Sequence, residues 1–326
     1  MAKVLVTGAS GFTGKALCQR LTNDGEHVVA FVRSTSKTDE LETMGVECRR
    51  IDIKNSAEVR DNFPDVTQIY HVAAAYRAEH ADHEEFRRVN VEATRHLLDA
   101  AQLHRVTRFV HCSTVGVQGE IEDPPANEEY RYKPADHYQE SKLEGELLAR
   151  RYFKVGLPGS VVRPVGIYGP GDTRFLKLFR AINSGYFVMI GSGGTLYHLT
   201  YIDDLIEGII LAGRRPEALG QVFTIAGKRY TTIRELVNLI ADVLDKPHPK
   251  WRIPFAPVYA AAVVCDKVCR PLGMTPPIYP RRVEFFHRDR AFTIAKAKKL
   301  LGFEPKVELR DGLERTASWY QMHGSI

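Results

Sequence analysis

Tyr138 and Lys142 stand four residues apart in HYQESKLEGE, His137 to Glu146. That spacing puts both side chains on one helical face. An ammonium beside a phenol favours the phenolate and lowers the tyrosine pKa, which equips the pair for general acid or base work. A second constellation offers a seat for an anion. VTGASGFTG places Gly8, Gly11 and Gly14 between an aliphatic run, Lys3 to Thr7, and a helix expected from about Phe12. Glycines at such a junction allow a tight turn, let backbone N–H groups approach a pyrophosphate and let the helix pack closely, while the helix N-terminus adds its positive dipole end. The residue types therefore point to a dinucleotide laid beside a proton donor. At the end of the second expected strand stands Arg33, followed by Ser34 and Lys37, with no acid before Asp39. An acid there would hydrogen-bond a ribose 2′-OH, whereas an arginine suits a 2′-phosphate, so NADP(H) is the preferred cofactor and NAD(H) a possible one.

The elements that must position these groups follow a regular rhythm. KVLVT reads as a buried parallel strand; HVVAFVR, VECRRID, QIYHVAAA and RFVHCST follow as strands, with TDELETMG and NSAEVRDNF as short helices between. HEEFRRVNVEATRHLLDAAQLHR, His83 to Arg105, is the longest helical candidate, with Phe86, Val89, Ala93, Leu97, Leu98 and Ala101 on one face. A Pro-rich, acidic loop precedes the Tyr138 helix, and PGSVVRPVGIYG reads as a sixth strand. Strands alternating with helices imply an α/β fold, a Rossmann-type doubly wound parallel sheet. Beyond Gly171 the rhythm breaks into FLKLFRAINSG, short strands, DDLIEGIILAG, QVFTIAG and three further helical stretches between Pro-rich loops. The expected division is a dinucleotide-binding domain over residues 1–170, joined by roughly 198–230, and a smaller, mostly helical substrate lobe from 171–197 and 231–326.

Composition narrows the function classes. The chain has 326 residues, 44% hydrophobic and 26% charged, which is ordinary for a globular protein. Its formal charge of +5 arises from 45 basic against 40 acidic residues, too even to argue for nucleic acid. Five cysteines without a CxxC pair indicate neither a disulfide framework nor a metal site, and fit a reducing cytoplasmic setting. No apolar run reaches the length of a spanning helix; PFAPVYAAAVVCDKVC comes nearest and is broken by Asp266 and Lys267.

Six segments, TGASGFTG, Asp52-Ile53, HVAAA at 71–75, STVGVQG at 113–119, YQESK at 138–142 and RPVGIYGPGD at 163–172, stand in one order. This order resembles the extended short-chain dehydrogenase/reductase superfamily, the NAD-dependent epimerase/dehydratase family, over nearly the whole chain. The resemblance implies that Gly8, Gly11, Phe12 and Gly14 form the pyrophosphate turn, that Asp52 beside Ile53 binds the adenine amino group, and that Ala73, Ala74 and Ala75 line the cofactor cleft. It implies Tyr138 as proton donor or acceptor, Lys142 as the bridge to the nicotinamide ribose, Thr114 as the hydroxyl that orients the substrate oxygen, and Pro164 and Val165 at the carboxamide end of nicotinamide. Tyr76, Ser113 and Arg174 are its candidates for substrate contact, and a homodimer built on the long helix and the Tyr138 helix is its expected assembly.

Departures from the pattern bear on the reaction. Val115 and Gly116 replace the Asp-Glu pair of the family's dehydratases, RPVG stands at 163–166 in place of RYFN, and Tyr197 takes the position of an arginine that clamps nucleotide-sugar diphosphates. The ending AKAKKLLGFEPKVELRDGLERT and the GSGGTLYHLTYIDDL segment look more like the 3β-hydroxysteroid dehydrogenase and dihydroflavonol reductase branch. The leading expectation is thus hydride transfer between nicotinamide and a secondary alcohol or ketone of a small, fairly apolar substrate. A nucleotide-sugar epimerase with tightly held NAD is the alternative, and a non-catalytic NADP(H)-binding redox sensor a second. His71, His111 and Cys112 read as packing residues, Asn90 as a structural anchor, and Asp203 and Asp204 as helix caps.

Overall fold

The computed structural model describes residues 3–76, 83–269, 271–274 and 276–326. Six strands come in sequence: β1 (Lys3–Thr7), β2 (His27–Val32), β3 (Glu47–Arg50), β4 (Gln68–His71), β5 (Arg108–Cys112) and β6 (Gly159–Pro164). Val222–Ile225 returns from beyond the lobe boundary to pair with β6, completing a seven-stranded sheet in the order Val222–Ile225, β6, β5, β4, β1, β2, β3. Every pairing in it is parallel. The residues explain why: Val4, Leu5, Val6, Val28, Val29 and Ala30 are wholly buried on both faces, as parallel strands covered by helices must be. Two apolar clusters form, one on each side of the sheet. The chain leaves β1 toward β2 through helix α1 (Phe12–Asn23), then crosses back to place β4 on β1's other side. Ligands of such sheets bind where the order reverses, outside the carboxyl ends of these strands.

Three elements differ from expectation. The long helix is continuous in outline but contains a π turn at Arg88–Glu92 between His83–Arg87 and Ala93–Leu103. That wider turn faces buried Asn90 to the Ala75 segment and the Tyr138 helix. The sixth strand does not run through to Tyr168. Pro164 has no N–H, Val165 gives its own to Ile225, and Gly166 then bonds His198, so Gly166–Tyr168 swings out to pair with Leu199–Tyr201. Beyond Ile225 five helices are described instead of three, because Phe255–Cys269 and two short segments separate what reads as fewer stretches.

Three of the described histidines are buried in this framework. His71 bonds Thr7 Oγ1 at 2.7 Å and Thr94 Oγ1 at 2.8 Å, while both ring nitrogens of His111 lack a partner. Burial disfavours the charged imidazole and Lys142 adds like-charge repulsion, taking His71 down to about 3 and His111 well below its usual value; burial takes His198 down to about 4. Because these folded-state values lie below that of the unfolded chain, the unfolded state binds more protons as pH falls under about 6.5, and stability declines from there toward pH 3. At pH 5, His71 and His198 each cost about 2 kcal/mol. Urea midpoints should therefore fall between pH 7 and pH 5, and a flat profile over that range would contradict the burial.

Candidate active site

The glycine turn is built by close approach. Gly8 has φ +73°, and a Cβ on it would meet the Ala73 backbone at 2.7 Å; one on Gly14 would meet the Gly8 carbonyl oxygen at 2.1 Å. Only hydrogen side chains let β1, α1 and the end of β4 come together in this way. Gly11 is the N-cap of α1, supplies no side-chain acceptor, and no acid lies in the first turn. The first amides of α1, from Phe12 onward, are left for an acceptor from outside the helix. A pyrophosphate fits that requirement in charge and in hydrogen bonding.

Around this turn the other expected cofactor residues are gathered. Arg33 is exposed just past β2, in a loop held by Arg50, whose guanidinium donates to the carbonyl of Ser34 at 2.6 Å. Ser36 reaches Ser10 of the glycine turn at 3.4 Å. Asp52 is exposed past β3 with one carboxylate oxygen accepting from the Lys54 amide, and Ile53 gives its carbonyl to His96. Ala73 donates to Thr7 Oγ1, and Ala75 is clasped by Asn90, which accepts from its N–H at 2.9 Å and donates to its carbonyl at 3.3 Å. Ala74 lies exposed between them, and Pro164 and Val165 close the end of β6. These positions share one rim of the sheet.

The Tyr138 helix, His137–Lys154, begins with Asp136 as N-cap, its carboxylate accepting from the Gln139 amide. Tyr138 and Lys142 share a face as their spacing requires. Yet the ammonium turns to the carbonyl of Cys112 at the end of β5, at 2.6 Å. The phenol is packed edge-to-face against Tyr76, centroids 5.0 Å apart, with Phe86 beyond. Burial, with Tyr76, Cys112 and Asp136 adding to it, raises the Tyr138 pKa, and Arg174 opposes the rise. Lys142 is pushed down by burial against the pull of Cys112 and Glu146. The expectation that Lys142 depresses the phenol is thus corrected for the chain alone: the ammonium is engaged by a carbonyl, and loss of solvation dominates.

Thr114 follows directly on that carbonyl strand and accepts from the Gly116 amide at 3.1 Å, leaving its hydroxyl proton free to point elsewhere. Gly116 in turn stands against Gln139 of the Tyr138 helix, so Thr114 and the helix start are neighbours. Ser113 is placed differently from its expected role: buried, it donates to Glu146 at 2.7 Å and faces the interior. Arg174 is anchored by Asp172 and donates to the carbonyl of Ile167 at 2.9 Å, with its guanidinium 5.3 Å over the ring of Phe12. It therefore joins the lobe to the glycine turn.

Beneath the site lies a polar network that sequence reasoning missed. Arg163 of β6 is fully buried, forks onto both oxygens of Glu146 at 2.6 and 3.0 Å, and also donates to the Glu128 carbonyl and to Tyr132. Burial opposes its charge, and the Glu146 carboxylate more than restores it. A lone arginine inside the apolar run SVVRPVG was the available signal, since such a charge demands a partner. Asn90 behaves as the expected anchor, extended by a bond to Ser141 on the Tyr138 helix. Asp204 does not cap its helix; Tyr201 occupies the N-cap, and Asp204 accepts from the amides of Lys306 and Val307, tying in the C-terminal segment.

Comparison with known proteins agrees with the fold. Residues 4–226 match the model of the NAD dependent epimerase/dehydratase family. The chain belongs to that family. It is 28% identical to a 2-alkyl-3-oxoalkanoate reductase of Stenotrophomonas maltophilia, with 96% of this chain and 98% of the relative covered. It is 29% identical to a 3beta-hydroxysteroid-dehydrogenase/decarboxylase of Arabidopsis thaliana, over 81% of this chain and 64% of that one. Among solved structures it superposes on a UDP-glucuronic acid 4-epimerase from Bacillus cereus in complex with NAD, with a TM-score of 0.76, 25% identity, and coverage of 98% and 99%.

Proposed function

We propose that the chain is an NAD(P)-dependent oxidoreductase acting on a secondary alcohol or ketone of a small, fairly apolar substrate. The observation that carries the substrate class is Tyr197. It stands where an arginine would meet a diphosphate, and it packs edge-to-face on Phe285 at 5.0 Å and on Phe175 at 6.4 Å, with Phe286 against Phe285. Aromatic neighbours give this position apolar contact and offer no cation to a desolvated diphosphate. The similarity to an oxoalkanoate reductase and to a hydroxysteroid dehydrogenase supports the same reading.

Gly8, Gly11, Phe12 and Gly14 would hold the pyrophosphate, Asp52 and Ile53 the adenine end, Ala73, Ala74 and Ala75 the cleft floor, and Pro164, Val165 and Lys142 the nicotinamide end. A bound nicotinamide supplies hydride donation or acceptance. The chain's own part is the proton and the oxygen. Tyr138, kept protonated by its buried surroundings, gives its proton to the carbonyl oxygen as charge grows there, and Thr114 donates a second hydrogen bond to it. Lys142, held at the end of β5, fixes the helix register and stands ready to favour the phenolate once the proton has left. Tyr76 and Arg174 border the space beside the phenol. Stoichiometric loss of reduced cofactor with medium-chain 3-oxo compounds tests the reading; constant cofactor with a nucleotide sugar epimerised would overturn it.

Arg33 makes NADP(H) the preferred coenzyme in this proposal. Arg33→Asp should lower kcat/KM for NADPH by about 10- to 100-fold, the loss of one charge-assisted phosphate contact, while sparing NADH. Parallel losses with both coenzymes would remove Arg33 from the 2′-phosphate role. The epimerase reading is supported by the likeness to a UDP-glucuronic acid 4-epimerase and by a cleft that Arg288 and Arg290 line with Gly116 and Gln139, a seat of the charge a diphosphate needs. The sensor reading has no such support, because a binding module needs no proton donor. Homodimerisation through the long helix and the Tyr138 helix is part of the proposal, and cross-linking would test it.

A further inference from the structure

Helix Phe255–Cys269 is at odds with the rest of the molecule. Of its fifteen residues only Ala262 is buried. Val264 and Val268, one turn apart, are 62% and 54% exposed, and the stripe runs on to Leu272 at 67% and Met274. Beside it, the short strand Arg252–Ile253 pairs with Met189–Ile190, and the Met189 amide donates to the Trp251 carbonyl, which sets exposed Trp251, Ile253, Val188 and Tyr186 along the same edge. Scattered apolar side chains on a surface need no explanation, but one short stretch of chain that exposes Trp251, Ile253, Val264, Val268, Leu272 and Met274 does.

Charge indicates what covers it. Residues 246–282 contain Lys246, Lys250, Arg252, Lys267, Arg270, Arg281 and Arg282 against the single acid Asp266, a surplus of six positive charges in a chain whose total surplus is five. Lys246, Lys250, Arg252, Lys267 and Arg282 are exposed. Thus the stretch of chain that exposes these apolar residues also carries Lys246, Lys250, Arg252, Lys267 and Arg282 on its surface. The helix is about 22 Å long at the usual rise, short of the ~30 Å hydrocarbon core. No described helix is long and apolar enough to cross a membrane. Apolar residues with an exposed tryptophan, ringed by lysine and arginine, are the composition of a segment that lies in a lipid interface.

We infer that Phe255–Cys269 and the adjoining Trp251 edge dock onto an anionic lipid bilayer surface, with Trp251, Val264, Val268 and Leu272 entering the interface and the surrounding cations meeting the headgroups. The proposal stands apart from the redox reading, since it uses none of the side chains placed at the cofactor or the proton transfer. It would bring the protein to where apolar substrates accumulate.

The test uses the full chain with vesicles of neutral phosphatidylcholine alone and of phosphatidylcholine mixed with phosphatidylglycerol. The expected result is co-sedimentation with the anionic vesicles that weakens with salt, together with a blue shift of tryptophan emission that Trp251→Phe abolishes; the other tryptophan, Trp319, is stacked on His323 in the C-terminal helix. Each cation near the surface is worth roughly fivefold in partitioning, so Lys250→Glu, Arg252→Glu and Lys267→Glu together should weaken binding by at least 100-fold. Val264→Glu with Val268→Glu should abolish it while leaving turnover of a water-soluble substrate intact, which reports that the variant is folded. Failure to bind anionic vesicles, or equal binding to neutral ones, would overturn the proposal. So would self-association of the chain in vesicle-free solution that the Val264→Glu, Val268→Glu variant loses, because the patch would then belong to a second copy.

Discussion

Tyr138→Phe should turn over at least 100-fold more slowly than the natural chain while binding cofactor with unchanged affinity. The expectation follows from one missing proton. The ring of Phe keeps the edge-to-face contact with Tyr76 and the packing near Phe86, so the pocket and the helix start retain their shape. What disappears is the only phenol at the start of that helix, and general acid help of this kind supplies about 10² to 10⁴ in rate. Titration of cofactor binding beside steady-state kinetics checks the result. A variant with undiminished kcat would transfer the proton role to another group, while a loss of cofactor affinity equal to the loss of rate would make Tyr138 a binding residue instead.

Glu146→Gln should destabilise the protein by about 3–5 kcal/mol, because it leaves the Arg163 guanidinium buried and short of its compensating charge. The pair has no solvent to fall back on, since both side chains are fully inaccessible. The same carboxylate holds Ser113 next to Thr114 and lies on the same helical face as Lys142, one turn on, so loosening it reaches the site as well as the core. Replacing both partners with apolar residues of similar volume, Glu146→Leu with Arg163→Met, should recover most of the lost stability. Urea unfolding measures both variants. If the single and double changes cost the same, the pair is not coupled and the network carries no special weight.

How far the molecule was legible in its sequence depends on how local each signal is. β1, α1 and the Gly8 turn were readable because strand, glycine and helix period follow one another without a break between Lys3 and Asn23. The Tyr138 helix was readable for the same reason, since Tyr138 and Lys142 stand one turn apart at its start. The break at Val165 was not, since it depends on which strand lies alongside: Ile225 and His198, far along the chain, take the successive amides of Val165 and Gly166. The π turn at Arg88–Glu92 escaped because its apolar spacing still fits a straight helix, and only the need to aim Asn90 at Ala75 and Ser141 betrays it. The direction of the Tyr138 pKa was misjudged from spacing alone. Proximity on a helix says nothing about the carbonyl of Cys112, brought in by β5, that takes the ammonium. Ser113 and Thr114 illustrate the same limit, adjacent in sequence yet bonded differently, Ser113 to buried Glu146 and Thr114 to the Gly116 amide.

The central claim is net hydride transfer to an apolar carbonyl with Tyr138 supplying the proton. Reduced cofactor carrying deuterium at the transferring position of its nicotinamide ring, incubated with a medium-chain 3-oxo substrate, tests it in one measurement by mass spectrometry of the product. One deuterium is expected on the new carbinol carbon for each cofactor oxidised, with almost none formed by Tyr138→Phe. Label that never leaves the cofactor pool, while a nucleotide sugar changes configuration at constant cofactor, would contradict it.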